Sequence, residues 1–98
     1  MMTCQVILEF KAKADCVEQA RAWLKGVLPD TRSFAGCVTL HVVQNQDDPT
    51  AIMIVEQWDS RQHYEKYLAW RTERGDMMEF GAMMDGPPSI RFFDYFRV

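Results

Sequence analysis

The stretch AIMIVEQWDSRQHYEKYLAWRTER, Ala51 to Arg74, decides the fold. Its first five residues, Ala51-Ile52-Met53-Ile54-Val55, are all apolar, as in a strand covered on both faces. Glu56, Gln57 and Trp58 close that strand, and Asp59 breaks it. Ser60 predicts a helix N-cap, because its hydroxyl can accept a bond from an unpaired amide of the first turn. Beyond it, Tyr64, Tyr67, Leu68 and Arg71 recur at i, i+3, i+4 and i+7 and share one helix face. Gly75 is expected just past the helix end, where the chain needs a left-handed residue.

The flanking sequence supplies the remaining elements. Thr3 to Lys11 predicts a strand, with Val6, Leu8 and Phe10 on one face and Gln5, Ile7, Glu9 and Lys11 on the other. Asp15 to Glu18 has the spacing of a capping box, with aspartate in the leading place. The helix after it is expected to run to about Leu28, with Trp23 at the border of its apolar stripe, and Pro29 and Asp30 either end it or begin its last loose turn. Thr31 to Gly36 reads as a connection. Cys37 to Gln44 alternates Val38, Leu40 and Val42 against Thr39, His41 and Val43. The polar run Asn45 to Pro49 then turns it into an antiparallel hairpin with Ala51–Trp58. A second capping-box spacing, Asp76 to Glu79, starts a short helix to about Met84, and Ser89 to Val98 is the last strand.

The order is strand, helix, strand, strand, helix, short helix, strand, within a single domain over residues 1–98. It predicts a ferredoxin-like α+β fold, with a four-stranded antiparallel sheet and helices on one face. The strands are apolar on both faces, so the second face needs a cover. A second copy of the sheet is the simplest one, which predicts a homodimer with the sheets packed into a shared barrel.

Composition narrows the partners. A hydrophobic fraction of 48% over 98 residues is ample for a core, and a net charge of −3 without a basic stripe argues against nucleic acid or an anionic membrane. The longest apolar run is too short to span a bilayer, and the N-terminus has no signal-peptide pattern. Three cysteines, an odd number without Cys-x-x-Cys spacing, argue against a disulfide framework and for a reducing, cytoplasmic setting. The two histidines lie on different elements with no metal-ligand spacing, and no phosphate or nucleotide fingerprint occurs. The expectation is therefore no metal and no bound cofactor.

Phe34-Ala35-Gly36-Cys37 before the second strand, Asp48-Pro49 in the hairpin turn and Glu56-Gln57-Trp58-Asp59-Ser60 before the helix resemble the antibiotic biosynthesis monooxygenase (ABM) family. The likeness extends along essentially the whole chain in element order. It implies a dimeric α+β barrel. It also implies a superfamily that includes cofactor-free monooxygenases, haem-degrading enzymes and quinol oxygenases. Two departures stand out. The family's frequent second-helix histidine is missing from Leu68–Gly75. The haem-degrading pattern is missing too: the first strand has no asparagine, Tyr67 holds the tryptophan position and Met77 lies near the histidine position.

The resemblance implies a cofactor-independent monooxygenase acting on a small aromatic or quinol substrate. The alternative is a non-catalytic module of the same barrel that binds a small ligand or serves as a scaffold. An oxygenase of this type needs a dry aromatic pocket, a proton acceptor and a group to hold an anion. Trp58, Tyr64, Tyr67, Trp70 and Phe80 are the candidate pocket lining. Trp58 also reads as a packing hinge, and the methionines after Gly75 read as a lid or as core filler. His41 is a candidate general base, or a histidine at the dimer interface or sheet margin. Arg71 is a candidate oxyanion holder, or the ion-pair partner of Glu56 or Asp94. Glu56 is a candidate proton acceptor if desolvated, or a partner for an arginine. His63 is expected to face solvent.

Overall fold

The structure, a computed structural model, describes residues 3–98. Strands β1 (Cys4–Lys11), β2 (Cys37–Gln44), β3 (Ala51–Trp58) and β4 (Ser89–Phe93) form one antiparallel sheet in the order β2-β3-β1-β4. Helices α1 (Val17–Arg32), α2 (Arg61–Arg74) and α3 (Asp76–Ala82) complete the order expected from the sequence. Strands β1 and β3 are central and pair without a break from Cys4↔Trp58 to Lys11↔Ala51. The buried positions of β1 (Val6, Leu8, Phe10) and β3 (Ile52, Ile54, Glu56, Trp58) alternate with half-buried or exposed ones. One face therefore lies under the helices, and the other, carrying Ile7, Met53 and Val55, is open.

The core divides in two along the sheet. Leu8, Phe10, Leu24, Leu28, Ile54 and Phe80 belong to an aliphatic-rich cluster. Cys4, Val6, Trp58 and Tyr64 form a smaller aromatic one at the end where β3 meets α2. Ser60 is the N-cap of α2, its hydroxyl accepting from the His63 amide at 3.2 Å. Gly75 ends that helix at φ 82°, in the left-handed region. No helix among the described residues is long and apolar enough to cross a membrane.

Several local expectations are corrected. Of the two readings of Pro29, the helix end is overturned and the last turn holds: α1 runs through it to Arg32, since proline removes only its own N–H and the Pro29 carbonyl still accepts from Ser33 at 3.2 Å. Neither capping box forms. Cys16 and Gly75 occupy the N-cap positions of α1 and α3 without a side-chain cap bond, and Asp76 is engaged elsewhere. A bulge between Cys37 and Thr39 throws Val38 out of the predicted alternation, leaving it 49% exposed. β4 ends at Phe93, so Tyr95, Phe96 and Val98 lie beyond the sheet and are exposed. His63 is not solvent-facing but half-buried. Its Nδ1 lies 2.6 Å from Ser60 Oγ, and its ring covers Gly36. The three cysteines are free, Cys4 buried and the others half-buried.

Candidate active site

Glu56 and Trp58, two residues apart on β3, both project to the helix side and are buried. Trp58 Nε1 donates to Glu56 Oε1 at 3.1 Å. Glu56 as a residue is 3% exposed, and no ion pair reaches its carboxyl among the described residues. Burial pushes its pKa up to about 7, while the Trp58 bond pulls weakly the other way. Tyr64, one helical turn into α2, lies over Trp58 with ring centroids 5.6 Å apart. Burial, and then the Glu56 carboxylate, push the Tyr64 phenol far above its ordinary range.

Tyr67 and Arg71 follow on the same face of α2. Every nitrogen of the Arg71 guanidinium donates: Nε to Tyr67 Oη at 3.0 Å and Nη1 to Asp76 Oδ2 at 2.9 Å. Nη2 donates to the Val27 carbonyl at 2.7 Å and to Thr31 Oγ1 at 3.0 Å. Thr31 Oγ1 and Tyr67 Oη close the ring at 2.7 Å. One buried cation thus ties α1, α2 and α3 together. Burial disfavours the Arg71 charge, but Tyr67 and Asp76 outweigh it and hold the guanidinium protonated. Burial likewise raises the Asp76 carboxyl, yet Arg71 and Arg74 bring it below its ordinary range. Tyr67 is raised by burial, with Thr31 and Arg71 working against that shift.

Glu56, Tyr64, Tyr67 and Arg71 border one small cavity of about 40 Å³, which Phe80 and Met77 also line. That volume accommodates roughly one water, whose share of the liquid is about 30 Å³. The arrangement is a small, aromatic-walled chamber with one carboxyl able to exchange a proton near neutrality and one fixed cation.

The structure therefore brings Glu56, Tyr64, Tyr67, Arg71 and Phe80 together. Trp58 stands behind them, fully buried and outside the cavity wall. Trp70 lies on the flank of α2, where the Arg71 and Arg74 guanidinium carbons sit 4.7 and 4.9 Å from its ring centre. His41 is exposed and pairs with Val55 on the open face of the sheet, so it does not meet Arg71. Arg71 pairs with neither Glu56 nor Asp94; its carboxylate is Asp76. Thr31 and Asp76 escaped the sequence reading, which gave one to a loop and the other to a cap. A basic last turn, Arg71 and Arg74, followed at once by an acid was the available signal for Asp76. Among the described residues, no group of three or more His, Cys, Asp or Glu is placed to hold a metal ion.

Residues 4–72 match the family model described as antibiotic biosynthesis monooxygenase. Solved structures share the fold. A conserved protein from Methanosarcina mazei Go1 superposes with a TM-score of 0.86 at 16% identity, over 95% of this chain and 92% of that one. An antibiotic biosynthesis monooxygenase gives 0.84 at 16% identity, over 94% and 97%. A protein of unknown function from Nitrosomonas europaea gives 0.83 at 13% identity, over 100% and 93%. At these identities the likeness is one of fold. No curated protein matches the sequence.

Proposed function

The chain belongs to the antibiotic biosynthesis monooxygenase family, and from that premise we propose that it is a cofactor-independent monooxygenase of a small phenol or quinol. The supporting observation is Glu56, a desolvated carboxyl with no cationic partner among the described residues and a pKa of about 7, set in the wall of an aromatic chamber. A general base or acid works best when its pKa lies near the working pH.

The chemistry balances without an external reductant. Glu56, as the carboxylate, takes the phenolic proton. The phenolate ring carbon donates electrons to dioxygen and a carbon–oxygen bond forms. Protonated Glu56 returns its proton to the peroxide. The ring carbon then loses its hydrogen as a proton while the oxygen–oxygen bond breaks. One phenol and one dioxygen give one quinone and one water, and the substrate supplies all the electrons. Arg71, through Tyr67, keeps positive charge beside the developing anion. Trp58 orients the carboxyl.

A cavity of about 40 Å³ is far smaller than the roughly 300 Å³ of ordinary ligand pockets. Substrate admission therefore requires the wall to move, and Met77 and Phe80 are wall residues on the short α3 that follows Gly75. The same small volume favours the second reading in its scaffold form, a module of the same barrel without turnover. We also infer a homodimer built on the open sheet face, where Ile7, Val55, Met53 and Val43 present apolar side chains with no cover in one chain.

Oxygen uptake with a panel of hydroquinones and polycyclic phenols tests the reading. The expected result is one dioxygen consumed per quinone formed, with a loss of at least about a hundredfold in Glu56→Gln and none in His41→Ala. Saturable phenol binding with no uptake would establish the binding module instead. Uptake unaltered in Glu56→Gln would remove the carboxyl from the mechanism.

A further inference from the structure

A second concavity lies outside the chamber, between α1 and the β2 edge. It has a volume of about 330 Å³, within the range of small-molecule sites. Leu24, Leu28 and Val42 belong to its apolar floor. Val42 faces the helix side yet remains 37% exposed, because α1 leaves this end of the edge strand uncovered. Arg21, Lys25 and Arg32 are its cationic residues, and none of the lining residues is acidic. At 3.6 residues per turn these three fall within about 40° around the α1 axis, so they form one basic stripe beside the apolar one. On a chain of net charge −3, that local sign is opposite to the whole. Arg21 also touches the exposed Glu18 at 3.1 Å, and Arg32 reaches the Leu40 carbonyl at 3.5 Å. Lys25 makes no ion pair among the described residues.

We propose that this cleft binds an amphiphilic carboxylate, its head on Arg21, Lys25 and Arg32 and its apolar body on Leu24, Leu28 and Val42. The charge complementarity selects an anion, and the guanidinium forks suit paired carboxylate oxygens. The floor selects a molecule with an apolar body rather than a small inorganic ion, since burying that body against Leu24, Leu28 and Val42 removes apolar surface from water. Leu24 and Leu28 also line the interior chamber from its other side. A ligand here would lie against the wall it shares with Glu56 and Tyr67. The site does not depend on the oxygenase reading.

Amide spectra titrated with sodium dodecanoate below its micelle concentration test the proposal, with dodecyltrimethylammonium as the opposite-charge control. Saturable shifts are expected at Leu24, Leu28 and Val42 with dodecanoate, absent with the cation and weakened at high salt. The exposed double variant Arg21→Ala, Lys25→Ala should keep its remaining spectrum and bind about tenfold more weakly. Equal binding of the cation would overturn the proposal. So would shifts that avoid the cleft, an undiminished affinity in the folded double variant, or no saturable binding of dodecanoate.

Discussion

Glu56 carries a cost that pH exposes. Its folded pKa of about 7 exceeds the ordinary 4.5, so the folded chain holds a proton that the unfolded chain releases between those values. Stability then falls as pH rises from about 4.5 to 7, by up to about 3 kcal/mol. Glu56→Gln can still accept from Trp58 and should abolish that slope, gaining stability at pH 8 and little at pH 4 in urea titrations. Gly36 gives a steric test at the same scale. It sits at φ +96°, and an added Cβ would lie 2.5 Å from the His63 ring. Gly36→Ala should cost about 2 kcal/mol, and pairing it with His63→Ala should recover the steric share but not the backbone share.

The Arg71 network belongs to the elements, because it joins three helices through one side chain. Removing its half-buried carboxylate partner leaves the buried cation uncompensated. Asp76→Ala should lower stability by about 3 kcal/mol, and Asp76→Asn by less. The lowered pKa of Asp76 adds a sign. Its contribution is present above the ordinary 3.8 and is lost as pH falls through its folded value. Acid unfolding monitored by circular dichroism should therefore begin at a higher pH in Arg74→Ala, which lacks one of the two cations. The sequence made this site only partly legible. Tyr64, Tyr67 and Arg71 emerged because helical spacing fixes a shared face, and Glu56 because a charge stood in an apolar strand. Thr31 did not, because Pro29 argued for a helix end. Only tertiary contact with Tyr67 and Arg71 shows why the helix continues. Asp76 was hidden by a capping pattern that fits several local structures equally well. The side of the sheet taken by His41 depends on a register that alternation along β2 alone leaves open.

At the scale of the molecule, element order and strand polarity were readable, since period-two and period-3.6 patterns hold wherever a core is buried. The edges were less so. β2 is exposed along most of its length, and the apolar residues 95, 96 and 98 stay outside the sheet. With nothing buried against them, their pattern carries no register. The open face predicts association. Sedimentation should give twice 11.5 kDa, and Val55→Glu, which places a charge at its centre, should give the monomer. A wild-type monomer would leave Ile7, Met53 and Val55 without the proposed cover.

The proposed chemistry rests on one carboxyl, and its titration needs no substrate. Carbon-13 spectra of the Glu56 side chain, followed from pH 4 to 9 and assigned by the loss of the signal in Glu56→Gln, would give the midpoint directly. A midpoint near pH 7 is expected from its burial without a cation. A midpoint near 4.5 would mean a solvated or paired carboxylate, and Glu56 could not then pass a proton to and from a phenol at neutral pH.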